Sequence, residues 1–312
     1  MSKKLISIAI PVYNNSESLE ILYTQIKAIF ENELTNFSFE ICFTNDGSSD
    51  NSLEILKSIH ESDARVKIIN LSGNFGQNSS TIAAQRLAKG DAVITVSADL
   101  QDPIKLIPKM VKEWENGNEI VICNRESRND SLLSKFTSQF YYRLLRFHTS
   151  KHMPIGGFDY YLTSRKVTDY FNGLKDNMKI RSMQYDLYSL GFRPKLIPYE
   201  RKVREHGKSQ FGGMKRFAGF VDALISVSYL PIRIMSAFGF LFSFSGFVYA
   251  IKIAYIWGIL EQAYESRAPV MILLLLIGGM IMIMLGIIGE YIWRIFMESK
   301  KRPSYFIDKT YE

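Results

Sequence analysis

Residues 91–103 read DAVITVSADLQDP. From Ala92 to Val96 the run is apolar and rich in β-branched residues (Val93, Ile94, Thr95, Val96), with Gly90 before it and carboxylates after it. Such a run is expected as a buried strand of a mostly parallel sheet, covered on both faces. Asp99, Gln101 and Asp102 stand at its end and Pro103 closes the segment. In open α/β sheets ligands bind beyond the carboxyl ends of strands. Hard oxygen donors clustered there suit a divalent cation that in turn holds a diphosphate.

Upstream, residues 5–13 read as a buried strand, and residues 18–30 have helical periodicity through Leu19, Leu22, Ile26 and Ile29. A second strand at 37–43 leads into Thr44-Asn45-Asp46-Gly47-Ser48-Ser49-Asp50, a loop of turn and N-cap residues before a helix at 53–59. A third strand at 66–71, a loop with Gly73 and Gly76, and a helix from Ser79 or Ser80 to about Ala88 bring the chain to 91–97. This alternation predicts a doubly wound sheet. Downstream, a helix through Trp114 and a strand at 119–123 precede a charged loop with Arg125 and Arg128. Then come an aromatic amphipathic helix (132–147), Gly156-Gly157-Phe158-Asp159, helices near 164 and over 181–190, a strand-like 192–199 and a basic segment to 211.

The chain has 312 residues, with 38 Lys and Arg against 31 Asp and Glu, a net charge of +7. Nucleic acid, an anionic membrane face and a polyphosphate substrate all suit that balance, but two apolar spans without a recognition motif argue against nucleic acid. Residues 234–260 carry only Lys252 as a charge, and 268–288 carry none. Roughly 20 apolar residues cross a bilayer core, so two transmembrane helices are expected. The first predicted span carries Ser236, Gly239, Ser243, Gly246 and Ala250, small residues that allow close packing on the second span or on another copy in a homo-oligomer. Lys215, Arg216 and Arg233 flank the first span, and Arg294, Lys300, Lys301 and Arg302 the second, which places the N-terminal domain in the cytoplasm. The expected layout is a catalytic domain over 1–210, an amphipathic juxtamembrane segment over 211–230, two spans over 231–298 (about 234–260 and 268–292) and a cytoplasmic tail over 299–312 of a multi-pass plasma-membrane protein. No export signal is apparent, so Cys42 and Cys123 are expected as buried free thiols. The four histidines lie in no metal-ligand spacing.

PVYNN (11–15), TNDGSSD (44–50), NFGQ (74–77), ADLQDP (98–103), GGFDYYLTSRKV (156–167) and YERKVREHGKSQF (199–211) follow one another in order. In this the chain resembles family 2 glycosyltransferases, and within them the polyprenyl-phosphate, dolichyl-phosphate mannose synthase-like group in its bacterial membrane-anchored branch. The resemblance implies a GT-A fold and an inverting transfer of a hexose from a nucleotide-diphosphate sugar to a polyprenyl phosphate. UDP-glucose and undecaprenyl phosphate are the expected pair, with GDP-mannose, UDP-galactose or a UDP-N-acetylhexosamine as alternative donors. It implies Mg²⁺ or Mn²⁺ on Asp99 and Gln101, and a nucleotide-sugar pocket of Pro11, Tyr13, Asn15, Asp46, Ala98 and Asp99. Asp159 aligns with the catalytic carboxylate, and Arg125, Arg128, Arg204 and Ser209 would meet donor or acceptor phosphates. Structural alternatives are a helix cap for Asp99, an Asx turn for Asp46, a strand-end turn for Asp159 and solvated charge for each arginine. Asp102 is expected as the capping residue.

Several positions depart from the family pattern. Ser97 stands where relatives carry an aspartate, Asn15 where an acidic residue is common, Asn45 for the first Asp of a pair, Tyr161 for an Arg and Gln210 for a Lys. These departures motivate a second reading, a catalytically weak scaffold in a glycan-assembly complex. A processive polysaccharide synthase also fits the fold, but would carry more spans and an acceptor motif that is not found.

Overall fold

The structure, a computed structural model, describes residues 3–125, 158–173, 183–200, 230–259, 268–299 and 303–312. Strands β1 (Leu5–Val12), β2 (Ser38–Asn45), β3 (Val66–Leu71) and β4 (Ala92–Thr95) form the parallel centre of an eight-stranded sheet. Both faces of β1 are buried, so it reads as a continuous apolar run and not as an alternation. Helices α1 (Leu19–Asn32), α2 (Ser52–Ser62) and α3 (Gln77–Leu87) connect these strands. Leu19, Leu22 and Ile26 of α1 pack with Ile6, Ile8 and Ile10, while Ala83, Ala84 and Leu87 of α3 pack with Ala9, Cys42 and Val93 in a separate cluster.

The second half turns the doubly wound expectation into a mixed sheet. After α4 (Ile107–Glu115) come β5 (Ile120–Arg125), β6 (Tyr161–Ser164), α5 (Arg165–Gly173), α6 (Met183–Ser189) and β7 (Lys195–Tyr199). Strand β6 lies between β4 and β5 and runs antiparallel to both, while β7 pairs parallel with β5. The order is β7-β5-β6-β4-β1-β2-β3-β8, where β8 is Ile307–Tyr311, antiparallel to β3. The expected tail over 299–312 is therefore corrected: its last residues are an edge strand. Connectivity agrees, because Met1–Phe220 and Lys301–Glu312 form one compact unit and Val221–Lys300 another.

The second unit contains α7 (Leu230–Ile259) and α8 (Ala268–Ser299), of 30 and 32 residues, roughly 45 and 48 Å at 1.5 Å per residue. Among the described residues, one helix is long and apolar enough to cross a membrane, with Leu276–Trp293 of α8 at a mean hydropathy of 1.8 and no part of that window buried. The apolar stretch in α7 is shorter, Ala237–Tyr249. Cys42 and Cys123 are buried free thiols, as expected, and burial pushes both well above the ordinary thiol range.

Candidate active site

The topology gathers the predicted residues at one edge of the sheet. Pro11, Asp46 and Asp99 lie at or just beyond the carboxyl ends of the parallel strands β1, β2 and β4. Because β6 is antiparallel to β4, with Thr95 opposite Tyr161, Asp159 enters from the same edge. Arg125 ends β5 and pairs in register with Tyr199, the last residue of β7.

On the β1–β2 side the loops are stitched together. Asn14 takes a left-handed backbone (φ 54°), which asparagine tolerates better than most residues. Its N–H donates to Ser48 Oγ (3.0 Å), and its Oδ1 accepts from the Ser49 N–H (2.8 Å). Asn15 Oδ1 accepts from the Tyr13 N–H at 3.1 Å, so this side chain shapes the turn. Asp46 is 3% exposed, and its oxygens accept the backbone N–H groups of Phe75 (2.7 Å) and Gly76 (3.0 Å). Burial pushes its carboxyl above the usual range, with the two amides opposing. Asp46 thus anchors the β3–α3 loop to the end of β2 instead of closing a local Asx turn. Ala98 belongs to the core, and its carbonyl accepts from Ser18 Oγ at 2.6 Å.

On the β4–β6 side a chain of polar contacts runs from Asp99 to Asp159. Leu100 has a positive φ of 58°, a sparsely populated conformation for a branched side chain, between Asp99 and Gln101. Asp99 Oδ1 accepts from Ser97 Oγ (2.6 Å) and from the Gln101 N–H (3.2 Å). Ser97 Oγ also lies 3.0 Å from Asp102 Oδ2, and the Tyr199 hydroxyl donates to Asp102 Oδ1 at 2.6 Å. Arg125 Nε donates to the Tyr199 hydroxyl (3.2 Å), and Arg125 Nη2 to Asp159 Oδ2 (3.0 Å). The expected capping role of Asp102 is corrected. The short 3₁₀ turn Ile104–Leu106 has no side-chain cap, and Asp102 is buried against Ser97 and Tyr199.

Arg125 is not a solvated charge: its side chain is 7% exposed, against 41% for Asp159. Burial works against its charge, but the Asp159 carboxylate and Tyr199 more than compensate and hold it firmly protonated. Tyr161, at a position where arginine is common, is a core residue whose hydroxyl accepts from Gln85 Nε2 at 2.9 Å. Arg128, Arg204 and Ser209 lie outside the described residues. His60 has a structural contact, Nδ1 to the Val66 carbonyl at 2.6 Å.

Among the described residues no three His, Cys, Asp or Glu side chains converge to enclose a metal. The segment beyond β4 carries hard oxygen donors in Asp99 and the Gln101 amide. That sparse set fits Mg²⁺, which keeps several waters and takes substrate phosphates in place of a full protein cage. Sequence reasoning missed Tyr199 and the bridging role of Ser97. Both were inside quoted motifs, but nothing in the residue order pairs position 97 with 199.

The glycosyl transferase family 2 model matches residues 7–171, and the GtrB C-terminal hairpin model matches residues 230–295. The uncharacterized glycosyltransferase YkcC of Bacillus subtilis is 34% identical, over 98% of this chain and 94% of that protein. The prophage bactoprenol glucosyl transferase homolog of Escherichia coli is 31% identical, over 98% of this chain and 99% of its own. The bactoprenol glucosyl transferase of Shigella phage SfII is 30% identical, over 98% of each. Among solved structures, mannosyl-3-phosphoglycerate synthase from Rubrobacter xylanophilus aligns over 75% of each chain with a TM-score of 0.53 at 14% identity, a likeness of fold and of the GT-A type expected. Sheet and whole-length matches agree that the chain belongs to glycosyl transferase family 2, as a glycosyltransferase whose sheet domain is followed by a GtrB-type hairpin.

Proposed function

We propose that the protein transfers a hexose, glucose in the first instance, from a nucleotide-diphosphate sugar to a polyprenyl phosphate, with inversion. UDP-glucose and undecaprenyl phosphate are the proposed pair, and the product is a lipid-linked sugar for envelope glycan modification. The observation that carries this reading is that Asp99, beyond the end of β4, and the Arg125-held Asp159, just before β6, lie at the same edge of the sheet on neighbouring strands. The names of the bactoprenol glucosyl transferases that match along the whole chain support the sugar and the lipid.

A phosphate monoester has a second pKa near 6, so the acceptor is largely dianionic at neutral pH and needs little help as a nucleophile. The protein's work is to hold and align the reactants and to balance charge. Arg125 fixes the direction of Asp159, which then orients the acceptor beside the anomeric carbon. Pro11, Tyr13 and Asp46 border the donor's nucleotide end, with Asn15 shaping the turn behind them. Arg128, Arg204 and Ser209 are proposed phosphate contacts. Asp99 and Gln101 would hold Mg²⁺ or Mn²⁺, whose charge would offset that of the departing diphosphate.

The hairpin α7–α8 is proposed as two membrane spans, with the segment 211–230 along the headgroups and the sheet domain on the cytoplasmic side of the plasma membrane. The basic flanks support this orientation. The test is purified full-length protein with undecaprenyl phosphate, Mg²⁺ and a panel of radiolabelled nucleotide sugars. Glucose should enter the lipid fraction from UDP-glucose, and Asp99→Ala should abolish this while leaving the protein folded and membrane-bound. Full activity in that variant, or transfer unaffected by a chelator, would overturn the metal assignment. Absence of transfer from every donor would favour the scaffold.

A further inference from the structure

Tyr199 joins the two halves of the site. Its hydroxyl donates to Asp102 and accepts from Arg125, which neither an ionised carboxylate nor a Lys or Arg side chain at that position could do at once. The residue is 6% exposed, and its ring stands edge-on to that of the fully buried Tyr160, with centroids 6.3 Å apart, so the hydroxyl has little freedom. On the far side of Asp102, the Ser97 hydroxyl has one proton and two carboxylates within reach, Asp99 at 2.6 Å and Asp102 at 3.0 Å. While Tyr199 supplies a proton to Asp102, that of Ser97 is left for the shorter bond to Asp99. Without the phenol, Asp102 competes for the Ser97 proton and draws it away from Asp99.

We propose that Tyr199 is a positioning residue: through Asp102 and Ser97 it sets the orientation of Asp99 towards the cation and diphosphate, and through Arg125 it sets that of Asp159. This rests on the donor-site reading above, in which Asp99 meets the metal. The geometry makes a specific claim of non-additivity, because among the described contacts the path from Tyr199 to Asp99 runs through Asp102 and the Ser97 hydroxyl.

The experiment measures binding of UDP with Mn²⁺ to the full-length protein in detergent, by calorimetry and by the Mn²⁺ magnetic resonance signal. Tyr199→Phe and Ser97→Ala should each weaken Mn²⁺–UDP binding by roughly two- to tenfold, the range for one lost hydrogen bond. The double variant should be no weaker than Ser97→Ala alone, and Ser97→Thr, which keeps the hydroxyl, should restore most of the affinity. Thermal melting of each variant separates these effects from loss of fold. Wild-type affinity in Tyr199→Phe, or losses that multiply in the double variant, overturn the proposal. Failure of the underlying reading looks different: wild type would bind no Mn²⁺–UDP, or Asp99→Ala would bind it as well as wild type.

Discussion

Gly47 leaves β2 with φ at +66°, and a methyl group built on it would stand 2.5 Å from the Gly73 carbonyl carbon. The left-handed backbone alone costs an L-residue about 1–2 kcal/mol, and the clash is with backbone that cannot swing aside. Gly47→Ala should therefore lower the melting temperature and weaken nucleotide binding together, since it pushes apart the loops that Asp46 holds. An unchanged melting curve would show that the loops yield freely. Asp63 gives a pH-dependent counterpart remote from catalysis. The Arg65 guanidinium beside it, helped by Tyr23, holds its carboxyl at about 2, against an ordinary value near 3.8. A depressed carboxylate stabilises the fold above its unfolded pKa and loses that contribution as pH falls towards the folded value. Acid unfolding followed by circular dichroism should therefore show less dependence on pH between about 4 and 2 in Asp63→Asn than in wild type. At this scale Asp99 and Asp159 were legible because each sits in a motif at a strand end. Tyr199 was not, because its partners lie at the end of β5 and in the segment that follows β4, and the pairing of β7 with β5 brings it to them.

Strand β8 closes the sheet's β3 edge, and Phe306 just before it reaches the β3–α3 loop. The Ser72 N–H donates to the Phe306 carbonyl (3.0 Å), the Phe75 and Phe306 rings lie 6.1 Å apart, and Asn70 Nδ2 donates to Asp308 Oδ2 (3.0 Å). Asn70 in turn accepts from Asn45, the neighbour of Asp46. Ending the chain at residue 302 should expose an unpaired edge on β3 and promote aggregation, which size-exclusion chromatography in detergent would detect. Asp308→Ala, a milder change, should raise the KM for the nucleotide sugar more than that for the lipid. Equal effects on both would place β8 outside the donor site. The central strands were readable because burial on both faces writes a continuous apolar run. Most of β8 is exposed, follows a basic stretch and carries Asp308 and Lys309, so its sequence has the look of a solvated tail. The same reasoning explains the trimmed strand at β4, which stops at Thr95 because the residues after it turn into the site.

For the molecule as a whole, the order of short motifs along the chain was more informative than any one of them, because those at 11–15, 44–50, 74–77 and 98–103 mark successive loops at the same edge of the sheet. The two long helices α7 and α8 were legible from hydropathy. With Cys42 and Cys123 buried and inert, a single new thiol reports cleanly. Ala263→Cys, in the loop between the proposed spans, should react with an impermeant maleimide added to intact cells, whereas Lys3→Cys should react only after lysis. Labelling of both only after lysis would mean that the loop never leaves the cytoplasm.

The return of residues 307–311 to β3 has a consequence for biosynthesis. These residues follow the apolar hairpin in the chain and are translated after it. Until they arrive, the nascent sheet carries a bare flank beside the β3–α3 loop. A product cut short by premature termination within the hairpin or before residue 307 would lack the contacts that steady that loop, so completion of the enzyme is deferred until translation has passed the helical hairpin.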